Sequence, residues 1–260
     1  MTLDRAAWIE AGDARCKGVG PAPRREWRVV LLGAPGVGKG TQAELLGQRL
    51  QACPLSMGEV IRHGRLAVLR TPAMTGALAH MDRGELVPDP IVLALLGERH
   101  DCLRCPAGLG FILDGFPRTL LQAQELQRTL HAHQVTLDAV VSYELPVETI
   151  VARLAGRRVC PACRAVYHVA QRPPRTPGRC DRCQTALQQR DDDQPAALRT
   201  RMAAYQESAG PLLAFYDRLG LLVSIPAHGS SDEILARTLA MSPFRGRLDQ
   251  PRTTIDATSA

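Results

Sequence analysis

A glycine-rich loop between a short apolar run and a helical pattern constrains this chain more than any other feature. Residues 29–32 are consecutively apolar, which is typical of a buried parallel strand, and the loop 33–41 (GAPGVGKGT) follows directly. Ala43, Leu46 and Leu50 then recur at helical spacing. Glycines let backbone N–H groups turn around phosphate oxygens, and the helix directs its positive dipole end at them. The pattern predicts a phosphate-binding strand–loop–helix unit.

The loop carries one lysine, Lys39, whose ammonium group can neutralise phosphate oxygens. The strict motif GxxxxGK[ST] is not met, because Gly40 follows Lys39 and Thr41 comes one position later. A glycine-rich turn without a ligand is the alternative interpretation. The strand before the loop and the helix after it favour the phosphate site.

Strand patterns recur at 111–113, 139–143 and 221–225, with helical patterns between them. Strands that alternate with helices predict an α/β fold with a mainly parallel sheet. Two segments interrupt the alternation: 56–88 looks helical, and 157–193 combines prolines with two CxxC pairs. We expect both to be insertions at the carboxyl edge of the sheet, where α/β proteins bind ligands.

The two ends of the chain lack clear periodicity. Residues 1–26 contain no apolar core of the kind that a secretory signal needs, and 243–260 is polar with two prolines. We predict a flexible N-terminal extension and a flexible tail. No stretch approaches the ~20 apolar residues of a membrane helix. We therefore expect no membrane association and a cytoplasmic location.

The net charge and the aromatic content narrow the class of partner. The formal charge is +6, which fits an anionic partner such as a nucleotide or a nucleic acid. Aromatic residues make up only 4% of the chain, so a surface that stacks single-stranded bases is poorly supported. We therefore expect a nucleotide and no nucleic acid.

Four cysteines form a strong metal-site pattern. Cys160 and Cys163 make one CxxC pair, and Cys180 and Cys183 make a second pair after 16 intervening residues. Four thiolates with this spacing can meet tetrahedrally at one zinc ion. Because all four ligands are cysteines, the predicted site is closed to water and structural. Reduced thiols or a redox pair are the alternatives.

The other four cysteines do not form such a pattern. Cys102 and Cys105 make a lone CxxC, which is weak evidence for a metal. We interpret them as thiols of a surface loop, and we interpret Cys16 and Cys53 in the same way.

The loop 33–41 together with GFPRT at 115–119 strongly resembles the adenylate kinases, within the nucleoside monophosphate kinases. In that family the glycine before the threonine is normal. The resemblance implies a P-loop NTPase-like parallel sheet with helices on both faces, spanning 27–242. It also implies that 56–88 is an AMP-binding insert and that 157–193 is a zinc-ribbon lid. The implied enzyme is a monomer that catalyses ATP + AMP ⇌ 2 ADP with Mg²⁺.

The resemblance assigns the acceptor and donor sites residue by residue. The residues implied to bind AMP are Met57, Gly58, Arg62, Glu85, Leu86, Val87, Gly115, Phe116, Pro117, Arg118, Gln122, Arg190 and Arg201. Those implied to bind ATP are Gly36, Val37, Gly38, Lys39, Gly40, Thr41, Arg153, Arg157, Val166, Tyr167 and Gly229.

The implied catalytic residues are mainly cations: Lys39, Arg118, Arg157, Arg190 and Arg201, with Asp114. Phosphoryl transfer spreads negative charge over the moving group, so positioning and positive charge supply most of the catalysis. Asp114 is implied to orient Mg²⁺, largely through water.

One position departs from the family. Its threonine after Ser56 is Met57 here, and a thioether is only a weak hydrogen-bond acceptor. Two interpretations are equally supported: AMP binds less tightly and with less selectivity, or Met57 packs on the base with a modest effect. A kinase for UMP, CMP or GMP is therefore the nearest rival, although Gln122 favours adenine. A non-catalytic nucleotide-binding regulator is the more distant rival.

Overall fold

The computed structural model describes residues 6–10, 25–67, 70–104, 109–163, 165–190 and 193–247. Its central sheet has five parallel strands in the order β2-β3-β1-β4-β7. These strands are β1 (Arg28–Gly33), β2 (Cys53–Ser56), β3 (Phe111–Asp114), β4 (Ala139–Glu144) and β7 (Leu222–Pro226). Two further strands, β5 (Arg157–Val159) and β6 (Val166–His168), form a separate antiparallel ribbon.

Helices connect the strands and cover the sheet. They are α1 (Ala6–Glu10), α2 (Lys39–Leu50), α3 (Met57–Gly64), α4 (Pro72–Asp82), α5 (Asp89–Gly97), α6 (Leu120–Ala132), α7 (Val147–Ala155), α8 (Pro195–Arg218) and α9 (Ser231–Leu239). None of the helices described here is long and apolar enough to cross a membrane.

The two faces of the sheet build two separate cores. Successive residues of a strand point to opposite faces. Val30 and Leu32 therefore pack with side chains of α3 to α6, whereas Val29 and Leu31 pack with α2 and α9. Helices thus cover both faces, and the predicted α/β fold is confirmed.

The carboxyl ends of the central strands meet at one edge of the sheet. Asp114 is in register with Ser56 on one side and with Leu31 on the other. Gly33, the last residue of β1, is paired with Tyr143 of β4. The phosphate loop and the residues after β2 and β3 therefore lie side by side.

The first predicted insertion follows β2 at this edge, whereas the second lies between α7 and α8. Helices α3 and α4 occupy the first insertion, as its helical pattern predicts. In the second, β5 and β6 pair antiparallel, and isolated bridges join Val159 to Gln188 and Arg179 to Ala186. We call residues 157–190 the cysteine ribbon.

Three predictions for the peripheral segments are wrong in part. Residues 6–10 form a helix with a fully buried Trp8, although we expected a flexible extension there. Phe244 of the predicted tail is fully buried, and its ring centroid lies 5.2 Å from that of Trp27. Cys53 begins β2, the edge strand of the sheet, and is buried, so it does not belong to a surface loop. Cys16 and Cys105 lie outside the described residues.

Candidate active site

The glycine loop brings the start of α2 to the carboxyl edge of the sheet. Gly36 has φ = 82°, and a Cβ atom there would lie 2.6 Å from Cγ of Leu154. Both the left-handed backbone and the close contact therefore favour glycine. Helix α2 begins at Lys39, so its positive dipole end lies where the loop opens, as an anion site needs.

Lys39 folds back over the loop. Its Nζ donates hydrogen bonds to the carbonyl oxygens of Gly33 at 2.7 Å and Ala34 at 2.9 Å. Burial lowers the pKa of Lys39 from 10.5 to about 8, although the negative charge of Asp114 acts in the opposite direction. Because burial destabilises the charged ammonium group, a phosphate anion bound beside it would stabilise the charged form strongly.

Three of the predicted arginines surround Lys39. The positive charges of Arg118, Arg201 and Arg157 each lower the pKa of Lys39. Asp193 binds two of these arginines: Arg157 Nε donates to Oδ2 at 2.7 Å and Arg157 Nη2 donates to Oδ1, while Arg201 Nη1 lies 3.7 Å from Oδ1. The buried Asp193 carboxylate therefore fixes two cations beside the loop.

Arg190 is joined to Asp193 by a backbone hydrogen bond. The backbone N–H of Asp193 donates to the carbonyl oxygen of Arg190 at 3.1 Å. The segment between them joins the end of the cysteine ribbon to α8, which carries Arg201. The structure thus brings Lys39, Arg118, Arg157 and Arg201 together, with Arg190 at the start of that segment.

Asp114 lies between the loop and the acceptor helix. Ser56 Oγ donates to Asp114 Oδ2 at 3.3 Å. A methyl group placed on Gly40 would lie 3.5 Å from the same oxygen. The carboxylate therefore faces the first turn of α2, and its role in orienting a metal ion stays a prediction.

On the donor side, Arg153 joins two loops. Its Nη1 donates to the carbonyl oxygen of Val37 at 3.4 Å, and its Nη2 donates to that of Ala227 at 3.1 Å. Ala227 is two residues before Gly229, which has φ = 93°. Arg153 therefore links the phosphate loop to the segment that leads to Gly229, and the role of these residues in ATP binding stays a prediction.

The two predicted donor residues of the cysteine ribbon differ in position. Val166 is exposed, whereas Tyr167 is buried within the ribbon. The Tyr167 hydroxyl lies 3.5 Å from Sγ of Cys180 and accepts a hydrogen bond from the Asp181 N–H at 2.9 Å. Its ring is thus part of the ribbon interior, and only its backbone remains for a nucleotide.

Two open clefts meet at the carboxyl edge. The first, of about 700 Å³, contains Lys39 and runs along α8; the second, of about 600 Å³, runs along α3 and ends at Gln122. Both clefts are lined by Gly84, Glu85, Leu86, Gly115, Arg118 and Arg201. Two ligands, one in each cleft, could therefore both contact Arg118 and Arg201.

The acceptor residues of α3 line the second cleft. Met57 belongs to the hydrophobic core and also lines the cleft, and only 2% of its surface is exposed. A Cβ atom on Gly58 would lie 3.2 Å from Nη2 of Arg62. The Arg62 guanidinium thus lies directly over the start of the helix. Val87 lines the same cleft.

The family-matched GFPR turn lies where the two clefts meet. Phe116 is fully buried and anchors the turn, while Pro117 lines the first cleft. Arg118 Nε donates to the carbonyl oxygen of Gly115 at 2.9 Å. This contact orients the guanidinium along the turn.

Gln122 is held by two neighbours within the second cleft. Its Oε1 accepts a hydrogen bond from the Arg118 backbone N–H at 2.8 Å, and its Nε2 donates to Asp89 Oδ1 at 2.8 Å. Thr119 Oγ1 also donates to Asp89, at 3.0 Å. These contacts fix the orientation of the amide, with Oε1 towards the Arg118 N–H and Nε2 towards Asp89. One N–H and one lone pair of the amide are left for a base edge.

Glu85 has its own partners at the cleft rim. Its carboxylate accepts a hydrogen bond from Arg83 Nε at 2.7 Å and lies 2.7 Å from Nδ1 of His80. The hydrogen bonds from Arg83 and His80 lower the pKa of Glu85 to about 2. The side chain is thus directed towards α4, and the backbone of the turn faces the cleft.

The four cysteine sulfurs converge at one point in the ribbon. All four Sγ atoms lie within 4.8 Å of one another. Sγ of Cys160 lies 3.4 Å from that of Cys183, and Sγ of Cys163 lies 3.3 Å from that of Cys180. Tetrahedral zinc with Zn–S bonds of about 2.3 Å needs sulfurs about 3.8 Å apart. The donor set therefore fits a closed zinc site.

A sequence model of the adenylate kinase family matches residues 31–221, which is well over half of the chain. The chain belongs to the adenylate kinase family. The adenylate kinase of Geotalea uraniireducens is 42% identical over 216 residues, covering 82% of this chain and 96% of that protein. The adenylate kinase of Moorella thermoacetica is 42% identical over 224 residues, covering 85% and 98%. The chain is thus an enzyme that transfers phosphoryl groups to a nucleoside monophosphate.

Two functional positions of this adenylate kinase family member are missing from the sequence-based site. Asp193 anchors Arg157 and Arg201, and Asp89 orients Gln122. The acidic run 191–193 is a visible signal for the first. Asp89 has no comparable signal, because an acidic residue in the first turn of a helix is ordinary capping chemistry.

Proposed function

We propose that this enzyme transfers the terminal phosphoryl group of ATP to AMP and so forms two molecules of ADP, with Mg²⁺. The observation that carries the proposal is the meeting of the two clefts at Arg118 and Arg201, next to Lys39. A donor on the phosphate loop and an acceptor beside α3 would then direct their phosphates at the same cations.

The cations stabilise the negative charge of the phosphoryl group during its transfer. The bond between the terminal phosphorus and the ADP oxygen breaks, and a phosphate oxygen of AMP forms the new bond. Lys39, Arg118 and Arg201 neutralise the oxygens of the moving group, and they are already positioned before substrate binds. The acceptor phosphate is itself a competent nucleophile, so no general base is required.

Mg²⁺ would be held near Asp114. The carboxylate provides the hard oxygen that this cation prefers, and it lies beside the first turn of α2. When bound, the cation neutralises phosphate charge and aligns the phosphate chain. Ser56 keeps the carboxylate in place through its hydroxyl.

We propose that the cysteine ribbon is a zinc-stapled lid that closes over the phosphates. A segment of this size cannot build an adequate hydrophobic core, and a structural metal ion replaces that core. The ribbon meets the site at Arg157, which is held by Asp193. Closure would exclude water and prevent hydrolysis of ATP.

A panel of acceptors tests the proposed function. With ATP and Mg²⁺ in excess, formation of nucleoside diphosphate should be fastest with AMP, because the fixed amide of Gln122 matches the adenine edge. GMP, CMP and UMP are the comparison acceptors. A preference for UMP or CMP would contradict the assignment of AMP and favour the nearest rival, since Met57 replaces the family's hydroxyl.

Met57→Thr should tighten AMP binding and leave ATP binding unchanged. A hydroxyl restored beside the base adds one neutral hydrogen bond of roughly 0.5–1.5 kcal/mol, or about two- to tenfold in affinity. Because Met57 is buried in the core, the variant should also unfold at a lower temperature. Titrations with AMP and with ATP, followed by calorimetry, measure both affinities.

Met57→Val is the matched control, since valine has the shape of threonine and lacks its hydroxyl. The threonine variant should be the less stable of the two, because its hydroxyl is buried in the free enzyme, and only this variant should gain AMP affinity. Equal AMP affinity in the two variants would show that residue 57 makes no hydrogen bond to the acceptor.

ATP affinity should fall as the pH rises through 8. Only the protonated Lys39 pairs with phosphate, and its pKa in the free enzyme is about 8. At pH 9 about one tenth of the enzyme carries the charged lysine, so the Kd for ATP should rise about tenfold relative to pH 7. Calorimetry at pH 7 to 9.5 should also detect proton uptake on binding.

Lys39→Arg is the control for this pH dependence, because a guanidinium stays charged throughout the range. Its ATP affinity should be nearly independent of pH above 7.5. If the parent enzyme has an equally flat profile, then either Lys39 keeps its proton up to pH 9.5 or its charge does not control ATP binding. Either result contradicts the prediction.

A further inference from the structure

The helix α1 lies outside the family-matched residues 31–221, yet it packs into the core of the enzyme. Trp8 is fully buried in the same hydrophobic cluster as Met57, Val60 and Ile61 of α3. Ile9 is partly buried against that cluster. A terminal segment that buries a tryptophan is anchored, because it removes a large apolar side chain from water.

A buried arginine ties α1 to the end of α5. Arg99, just beyond α5, is 4% exposed. Its Nε donates to the carbonyl oxygen of Trp8 at 2.7 Å, and its Nη1 donates to the Leu95 carbonyl at 2.9 Å and to Glu98 Oε2 at 2.7 Å. Charge-assisted bonds in a buried position are strong, and a guanidinium that lost its partners there would be costly.

Helix α1 therefore joins α3 to the end of α5, and both helices carry residues that line the second cleft, Val92 being the one on α5. Helix α3 carries Met57, Gly58 and Arg62, and the chain between α4 and α5 carries Glu85 and Leu86. The contacts of α1 are with α3 and with Arg99 beyond the end of α5, and neither belongs to the glycine loop. A change in α1 should thus affect the acceptor before the donor.

We propose that Trp8 and α1 act as an N-terminal clamp that positions the acceptor insert and so sets the affinity for the nucleoside monophosphate. Trp8 is a positioning residue, since it acts through α3. The proposal rests on the proposed function, because it takes the α3 cleft as the acceptor site. When α1 undocks, α3 samples more arrangements, and only the fraction with the cleft formed binds the acceptor.

The test compares Michaelis constants for acceptor and donor. Trp8→Ala, and a chain that starts at residue 11, should each raise the KM for AMP about fivefold, since the apparent affinity falls with the competent fraction. The KM for ATP and the kcat should stay within about twofold, because the contacts described for α1 are with α3 and Arg99. Assays are run below the unfolding temperature of every variant.

Trp8→Phe is the matched control. The indole Nε1 has no hydrogen-bond partner among the described residues, so phenylalanine keeps the apolar packing and loses no observed contact. This variant should retain the parent KM for AMP. If Trp8→Ala lowers the melting temperature but changes neither KM, or changes both equally, α1 is only structural and the proposal is overturned.

A fluorescence measurement gives a readout that does not depend on activity. The chain has two tryptophans, so Trp27→Phe leaves Trp8 as the only one. We expect blue-shifted Trp8 emission that responds to AMP but not to ATP. Emission typical of exposed tryptophan, or emission insensitive to every accepted monophosphate, would contradict the clamp.

The two hypotheses fail in different ways. If the acceptor panel shows that the parent prefers another monophosphate, the proposed substrate is wrong. The clamp is then tested with that monophosphate in the same KM comparison. If the parent uses AMP and the ratio of the two KM values is unchanged in Trp8→Ala, the clamp is wrong and the proposed function stands.

Discussion

Lys39→Met should nearly abolish phosphoryl transfer while the fold is retained. The ammonium group lies at the mouth of the glycine loop among Arg118, Arg157 and Arg201, and methionine has a similar length without the charge. Loss of one preorganised charge at the moving phosphoryl group should lower kcat about 10²-fold or more. A coupled assay of ADP formation measures the rate, and circular dichroism checks the fold.

Lys39→Met should not lower stability, because a partly buried charge is removed and methionine packs well. The matched control is Arg128→Met, on the exposed face of α6, where a cation is lost far from the clefts. That variant should keep its activity. If Lys39→Met keeps activity within threefold of the parent, the glycine loop is not the donor site.

The central fold could be predicted from the sequence because its signals are local. The run 29–32 and the other strand patterns are consecutively apolar, so their side chains are apolar on both faces of the sheet. Both faces must therefore be covered by helices. The glycine loop identifies the edge at which ligands bind. The metal site could be predicted from the spacing of the four cysteines alone, since two CxxC pairs in one short segment can meet at one ion.

What the sequence did not predict depends on contacts between distant segments. Trp8 lies in a helix of five residues, which is too short for a periodic pattern to be visible. Its side chain is buried by the hydrophobic cluster that includes Met57 and Val60, and Arg99, 91 positions away, binds its carbonyl oxygen. The orientation of Gln122 likewise depends on Asp89, which a reader of the sequence would take for a helix cap. Tyr167 resembles a nucleotide contact in sequence and is a ribbon core residue in space.

Removing the predicted zinc should lower the melting temperature of the enzyme more than its catalytic activity at low temperature. The purified enzyme should hold one Zn²⁺ per chain, with Cys160, Cys163, Cys180 and Cys183 as ligands. The double variant Cys160→Ser, Cys163→Ser should lose the metal and melt at least about 5 °C lower, because metal binding energy is folding energy for so small a ribbon. Atomic emission and melting curves with and without a chelator measure both effects.

Residual activity at low temperature should survive in the double variant, because Lys39 and Asp114 lie on the sheet edge and not in the ribbon. Four thiolates complete a tetrahedral shell, so no coordination position is open for a substrate. Cys102→Ser, outside the cluster, is the matched control and should keep the metal, and chelation should lower its melting temperature as much as that of the parent. A metal-free enzyme that melts identically with and without chelator would contradict the zinc site. If the double variant instead loses all activity at an unchanged melting temperature, the metal serves the chemistry and the structural role is wrong.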